Sequence, residues 1–231
     1  MWVFLQGLQF LTAIPVPQKK KLVETPVADL EKLGRATAFF PFIGVLIGLV
    51  LVGVNFLGSK FLSNSVTNVL LIILLILIRG GLHLDGFIDT VDGLFSGKDR
   101  EKILDIMRDS RVGAYGGTAV ICLLLLKFTL LNSLTQTMKW KALILMPAMG
   151  QWAIVYAAAL YPYARAKEGI GKVFAEKTGG REMALATLTV VFLSIYLFKA
   201  FSLAIMFGLL ILTVLLSRFV FSKIQGFTGD T

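Results

Sequence analysis

The sequence is poor in charge and in cysteine, and it lacks the common nucleotide-binding motifs. Only 16% of its 231 residues are charged, whereas a soluble domain carries about 25%. A single cysteine, Cys122, excludes an internal disulfide. Neither a GxGxxG fingerprint nor a Walker A sequence occurs anywhere in the chain. The first 17 residues have no basic start and no small-residue cleavage site, so we expect no removable signal peptide.

Apolar runs make up most of the chain, with 56% hydrophobic residues and a mean hydropathy of +0.80. A helix needs about 20 apolar residues to cross a bilayer. Such runs lie near 36–57, 66–82, 112–131 and 140–161, and the run 183–217 is long enough for two short spans joined near Lys199. We therefore predict an all-α polytopic integral membrane protein, one domain over 1–231, with about six transmembrane helices. The N-terminal segment is expected to form an interfacial or re-entrant helix.

The distribution of charge predicts which side of the membrane each segment faces. Lys and Arg collect on the cytoplasmic side. Among the segments outside the predicted spans, the odd-numbered ones hold 18 basic residues and the even-numbered ones hold four. All 14 acids and the only histidine, His83, fall in odd segments. We predict that both termini and these titratable groups are cytoplasmic, and that Lys127, inside a span, reaches the external interface.

The segment 79–111 carries seven of the 14 acids. Asp85, Asp89 and Asp92 are spaced i, i+4 and i+7, so on a helix that turns about 100° per residue they lie within roughly 60° of one another. Like charges this close repel unless a cation lies between them, and Mg²⁺ typically bridges carboxylates to substrate phosphates. The spacing predicts that these three acids are catalytic and bind a metal; a solvated loop with scattered acids is the alternative.

A second polar group follows the acids. Residues 98–109 predict a short amphipathic cytoplasmic helix, and Ser96 and Asp99 resemble an N-capping arrangement. Guanidinium groups match the geometry of phosphate oxygens. We predict a diphosphate clamp next to the acids, with positive-inside anchoring as the alternative. The clamp consists of Arg108, Asp109 as a candidate catalytic acid, Ser110 and Arg111.

Two further residues are candidate substrate contacts. His83 lies two residues before Asp85, so on a continuous helix it points about 200° away from that acid. It reaches the acids only if the neighbouring glycines break the helix. The basic loop 162–182 contains Arg165 and can close over an anionic substrate.

Five stretches of the chain resemble the cobalamin synthase family, also called adenosylcobinamide-GDP ribazoletransferases. The second of them, with its GGLHLDG run, is the most specific. The stretches are FFPFIGVLIG (39–48), GGLHLDGFIDTVDGLFSG (80–97), MRDSRVGAYG (107–116), PYARAKEGIG (162–171) and GFTGDT (226–231).

The resemblance implies a multi-pass enzyme of a prokaryotic cell (inner) membrane that needs Mg²⁺. Such an enzyme joins adenosylcobinamide-GDP to α-ribazole or its 5′-phosphate, the last assembly step of cobalamin biosynthesis, and releases GMP. By position, the three aspartates match the family's acidic motif, 108–111 its second polar motif, and Arg165 and Asp230 later ones. In the family a further acid and a last apolar stretch follow the Thr-Gly-Asp motif, which would add a seventh span, whereas this sequence stops at Thr231.

Two alternative functions remain open. A CDP-alcohol phosphatidyltransferase also uses several aspartates, but its Asp-Gly-x-x-Ala-Arg opening is absent, because Phe-Ile-Asp-Thr follows Gly86. A transporter for divalent cations or organic anions needs polar groups deep in the bilayer, where the predicted spans offer small residues, Thr118, Gln151 and Tyr156. The expected partners are the two substrates, the lipid bilayer and other nucleotide-loop assembly enzymes, and no nucleic acid. The sequence leaves the oligomeric state open.

Overall fold

The computed structural model of the chain describes residues 2–15, 34–165 and 170–231, and in these ranges the fold is all-α. The remaining residues, among them Glu24, Lys167 and Glu168, lie outside the described part. Within the described ranges the only strand-like pairing is an isolated bridge between Tyr163 and Phe227. The helices are α1 Trp2–Leu11, α2 Phe40–Phe61, α3 Asn64–Ile78, α4 Leu82–Leu94, α5 Arg100–Ile106, α6 Ala114–Ser133, α7 Gln136–Leu160, α8 Ile170–Lys177, α9 Gly180–Phe198 and α10 Ser202–Ile224.

Four helical stretches of the described residues are long and apolar enough to cross a membrane, or five if the bent pair of α3 and α4 counts as one span. They are Gly34–Phe61, Ala114–Ser133, Gln136–Leu160 and Gly180–Ile224. The last stretch has 45 residues, about twice what one crossing needs. It divides at Lys199, where φ is 48°, into α9 and α10. The predicted polytopic fold is confirmed with four to five candidate spans in the described residues. The six predicted runs fall on α2, α3, α6, α7, α9 and α10, of which α9 and α10 belong to one candidate stretch and α3 qualifies only together with α4.

Helices α2 and α7 form the centre of the bundle. Gly44 and Gly48 of α2, four residues apart, face α7 so closely that a Cβ at Gly48 would stand 2.5 Å from Ile144 Cα. Small residues at this spacing let two helix backbones approach each other in a membrane. The large buried side chains of the core surround this contact; they include Phe40, Ile43, Leu51, Leu143, Trp152 and Val155.

Helix α1 lies across one end of the bundle. Its ten residues are about half of what a membrane crossing needs. Phe4 contacts Phe39 and Phe42 at the start of α2, and just beyond α1 the amide of Ala13 donates to the carbonyl of Ile78 at the end of α3. The helix therefore connects the ends of α2 and α3, as an interfacial helix would.

The polar segment begins at a sharp turn between α3 and α4. Gly80 and Gly81 have φ values of 60° and 75°, a left-handed conformation that glycine adopts without a Cβ penalty. They end α3, and α4 leaves at 88° to it. Helix α4 therefore lies across the end of α3, beyond the apolar run 66–82 that predicts the span.

Helix α5 is shorter than the amphipathic helix predicted over 98–109. Its N-cap is Asp99, whose carboxylate accepts from the amide of Lys102. Ser96 does not take part in the cap, because its hydroxyl donates to the carbonyl of Gly93. Ile103 and Leu104 are buried, as the amphipathic pattern predicts.

Helices α9 and α10 run away from this end of the bundle and return to it. Before α9, the hydroxyl of Thr178 bonds the hydroxyl of Thr37 at the start of α2. At the end of α10, the carbonyl of Ile224 accepts from Arg100 of α5. The return of α10 carries the C-terminal residues 226–231 to α4.

Candidate active site

Helix α4 presents two of the three predicted acids on an open face. The helix is continuous from Leu82 to Leu94. Asp85 is exposed and Asp89 is half-buried, whereas Asp92 is buried. The i, i+4 spacing of Asp85 and Asp89 therefore places two carboxylates side by side at the end of the bundle.

Asp89 lies close to other carboxylates, and the pKa of its carboxyl is raised. Partial burial raises the pKa of its carboxyl, and the charges of Asp85, Asp230 and Asp92 raise it further, to about 6. Arg165 opposes this rise. Close carboxylates penalise ionisation in this way, and a bound cation relieves the repulsion.

The C-terminal segment 226–231 supplies the third acid of this face, Asp230. Its carbonyl oxygen accepts from the hydroxyl of Thr90 at 3.1 Å. The same oxygen would stand 2.6 Å from a Cβ at Gly86, so the segment can lie against α4 only because position 86 has no side chain. Asp230 was predicted only through the family resemblance, since a single acid near a chain end has no spacing signal.

Arg165 joins the C-terminal segment to the loop after α5. Its Nη2 lies 2.8 Å from Asp230 Oδ2 and 3.4 Å from the carbonyl oxygen of Met107. The side chain is only 13% exposed, and its Nε has no partner among the described residues. The predicted substrate contact is thus present at the acidic face, with hydrogen-bonding capacity left over.

Arg100 holds the same region together and was not predicted. Its Nε donates to the carbonyl of Ile224 at 2.8 Å, and its Nη2 donates to the carbonyl of Ala164 at 2.6 Å. Beside this contact, the amide of Phe227 donates to the carbonyl of Pro162 at 2.9 Å. In the sequence Arg100 is indistinguishable from the other basic residues of a cytoplasmic segment, so no signal marks it.

Asp92 differs from the other two predicted metal ligands. One carboxylate oxygen accepts from the amide of Gly113 and the other from the amide of Gly116, each at 2.8 Å. A Cβ at either glycine would come within 2.4 Å of a carboxylate oxygen. Asp92 therefore binds the N-terminus of α6, where free amides favour an anion. Gly113 and Gly116 belong to the stretch 107–116 that resembles the family, and both are part of this contact.

The predicted clamp over 108–111 is exposed and internally paired. Arg111 lies against Asp109, with Nη2 2.6 Å from Oδ2. The side-chain and backbone hydrogen bonds from Arg111 hold the pKa of Asp109 at about 2, which makes Asp109 a poor proton acceptor near neutral pH. Arg108 and Ser110 are exposed in the same loop. The loop starts at Met107, whose carbonyl contacts Arg165, and so borders the acidic face.

His83 is not brought to the acids. Because α4 begins at Leu82, no break separates His83 from Asp85, and the two side chains point about 200° apart. His83 faces the bundle, with Nε2 3.4 Å from the side-chain amide of Gln151. Burial and the charges of Arg79 and Lys127 lower its pKa to about 4, so it is neutral at pH 7.

The fit of a divalent cation rests on Asp85 and Asp89, with Asp230 as a further negative charge beside them. Their oxygens are the donors that Mg²⁺ prefers, and their charge exceeds that of Arg165 nearby. Among the described residues, however, no group of three His, Cys, Asp or Glu is arranged to hold a metal ion. Asp85, Asp89 and Asp92 do not form such a group, because both carboxylate oxygens of Asp92 accept hydrogen bonds from amides of α6. Mg²⁺ commonly takes one or two carboxylates and completes its shell with water and substrate phosphates, and two carboxylates on an open face fit that mode.

These features define a class: a polytopic helical membrane protein that gathers carboxylates and an arginine at one end of its bundle. The cobalamin-5-phosphate synthase family matches residues 3–231, and the chain belongs to that family. The chain is therefore a transferase of cobalamin biosynthesis.

Curated relatives agree with this assignment over nearly the whole chain. The adenosylcobinamide-GDP ribazoletransferase of Desulforamulus reducens is 38% identical over 97% of this chain and 87% of its own length. That of Caldanaerobacter subterraneus is 33% identical, covering 97% and 89%, and that of Acetivibrio thermocellus is 38% identical, covering 96% and 87%. No solved structure matches the chain. The family favours the first predicted function over the two alternatives.

Proposed function

We propose that this protein is a membrane-bound, Mg²⁺-dependent transferase that joins adenosylcobinamide-GDP to α-ribazole or α-ribazole 5′-phosphate. The observation that carries the proposal is the meeting of Asp85, Asp89, Asp230 and Arg165 at one end of the bundle, in a chain of this family. In the reaction, a ribose hydroxyl oxygen bonds to the phosphorus attached to cobinamide. The bond from that phosphorus to the GMP oxygen breaks, and the hydroxyl proton passes to a base.

Asp85 and Asp89 are the residues that would hold Mg²⁺, because they lie one helical turn apart on α4. Among the described residues, neither has a main-chain partner of the kind that Asp92 has. The bound ion supplies charge neutralisation for the diphosphate and for the leaving GMP. The neighbouring loop with Arg108 and Arg111 provides further cations for the non-bridging phosphate oxygens.

Arg165 and Asp230 have linked roles in this proposal. Arg165 pairs with Asp230 across 2.8 Å and carries an unused Nε. A diphosphate at the site competes with Asp230 for the guanidinium, since phosphate accepts bidentate hydrogen bonds from arginine. The exchange leaves the Asp230 carboxylate free to accept the hydroxyl proton. Asp109 is a weaker candidate for that task because Arg111 keeps its pKa near 2.

The deciding experiment is turnover by purified protein in detergent, without any gradient. With adenosylcobinamide-GDP and α-ribazole 5′-phosphate we expect GMP release that requires Mg²⁺ and disappears in Asp85→Asn and Asp89→Asn. Asp105→Asn is the matched control, because Asp105 is exposed on α5 in the same acidic segment, and it should keep wild-type turnover. Release of CMP from a CDP-alcohol, or no GMP release by folded protein, would contradict the proposal.

A further inference from the structure

A group of basic side chains lies on the bundle side of α4, away from the acids. With its amide oxygen facing Arg79, Gln151 accepts from Nη1 at 3.3 Å and from Nη2 at 3.2 Å. His83 lies beside the same amide at 3.4 Å. Lys127 of α6 is close enough for its charge to act on His83 and to be affected by that of Arg79. Lys127 also lines a cavity between the helices.

These cations have no anionic partner in the described part of the chain. Neither Arg79 nor Lys127 takes part in any ion pair found there. Arg79 Nε and His83 Nδ1 are buried without a hydrogen-bond partner among the described residues. A cation removed from water is costly unless it is paired, and cations within membrane helices face a partner or a cavity.

An apolar cavity of about 330 Å³ continues from Lys127 between α2, α3, α6 and α7. Except for Lys127 and Ser133, the lining side chains are apolar; they include Leu71, Leu75, Leu130, Leu143 and Met146. Leu130 and Met146 are also exposed on the outer surface of the bundle, where the hydrocarbon of the bilayer would lie. The cavity therefore combines a hydrocarbon-like interior, an opening to the bilayer and a cation at one end.

We propose that this cavity and the basic group bind an anionic phospholipid. One acyl chain fills the cavity along Leu71 and Leu75, and the headgroup phosphate accepts hydrogen bonds from Lys127 and Arg79. Charge complementarity carries the choice of an anionic lipid, since the described residues of the site include cations and no acid. A substrate phosphate is disfavoured, because the basic group is on the face of α4 opposite Asp85 and the adjoining cavity is apolar.

The test is lipid binding to the purified full chain, measured by native mass spectrometry after delipidation and addition of phosphatidylglycerol or phosphatidylcholine. We expect the wild type to bind phosphatidylglycerol at least about tenfold more tightly, the factor that a charged hydrogen bond contributes. Lys127→Gln and Arg79→Gln should each remove most of that preference. Lys60→Gln is the matched control, because Lys60 is a cation near the end of a span that stacks on Phe56, outside the group.

A cavity variant keeps the test decisive if a charge variant fails to fold. Ala142 lines the cavity, and Ala142→Leu fills it without changing any charge, so binding of both lipids should fall. Equal binding of the two lipids by wild type, or an unchanged preference in folded Lys127→Gln, would overturn the proposal. If α-ribazole 5′-phosphate displaces the lipid, the basic side chains bind substrate and the lipid proposal is wrong. Because binding is read without turnover, the outcome is independent of the proposed transferase activity.

Discussion

At the scale of single residues, the two acids Asp89 and Asp92 have different surroundings although they lie three positions apart on one helix. Asp89 stands among carboxylates that raise its pKa to about 6. Asp92 has both oxygens bonded to amides of α6. The repulsion around Asp89 can be relieved by a bound cation. The charge of Asp92 is already balanced by hydrogen bonds within the protein. The two residues should therefore respond differently to the same substitution.

Asp92→Asn should lower transfer by loosening the start of α6. An Asn amide nitrogen cannot accept from a glycine N–H, so one charged hydrogen bond is lost and the other weakened, at a cost of about 2 kcal/mol. Hydrogen exchange at the amides of Gly113 and Gly116 should then accelerate at least about tenfold. Asp89→Asn serves as the comparison, since it should lose activity with unchanged exchange at those amides. If hydrogen exchange at these two amides is unchanged in Asp92→Asn and Mg²⁺ binding is lost, Asp92 is a metal ligand and this account is wrong.

The carboxyl of Asp89 should titrate near pH 6 in metal-free protein, because burial and neighbouring acids raise its pKa. Below that pH the group is neutral, and above it the group is charged and able to bind a cation. Asp230→Asn removes one negative neighbour and frees the charge of Arg165, so both effects move the midpoint to lower pH. Carboxyl ¹³C NMR measures it directly. A midpoint that Asp230→Asn leaves in place would refute this account, and Asp105→Asn should have no effect.

At the scale of elements, the site depends on how closely the segment 226–231 approaches α4. The contact at Gly86 and the bond from Thr90 position Asp230, and Arg100 fixes the end of α10 that leads into the segment. The predicted acid face of α4 follows from local rules of helix geometry. The segment that docks on it is 140 positions away in sequence from Thr90, so helix periodicity cannot predict the contact.

Gly86→Ala should cost activity without damaging α4. Alanine favours a helix over glycine by about 1 kcal/mol, but its Cβ would stand 2.6 Å from the Asp230 carbonyl and push the segment away. A displacement of this kind at an active site lowers turnover by about a hundredfold. Gly117→Ala is the matched control, because its nearest neighbour would be Val112 Cγ1 at 3.7 Å. Helicity from circular dichroism should be unchanged in both variants, and full activity in Gly86→Ala would show that the close contact is dispensable.

At the scale of the whole molecule, the bundle gathers four distant segments at one end. These are α4, the loop from Met107, the stretch around Arg165 and the C-terminal segment. The return of α10 beside α9 is what brings the last of them to the site. The charge distribution of the sequence predicts that this end is cytoplasmic, and that orientation stays a prediction.

Cysteine labelling can test the orientation cleanly because the chain has a single cysteine. In a Cys122→Ser background, Lys60→Cys should react with a membrane-impermeant thiol reagent applied to intact cells. Lys98→Cys, in the acidic segment, should react only after the membrane is permeabilised. Both lysines are exposed, so access to the reagent and not burial decides the outcome. The reverse pattern would place the acidic site outside.

The sequence by itself determined the all-α membrane fold and the acid face of α4, because hydropathy and helical period are local properties of a chain. The family resemblance pointed to the substrates and to Arg165 and Asp230. Only the tertiary structure decided that Asp92 binds the start of α6, that Asp230 lies beside Asp85 and Asp89, and that Lys127 lines an apolar cavity between the helices. Helical spacing gives the direction of a side chain around its own axis, but the neighbour that occupies that direction is set by packing between segments far apart in sequence.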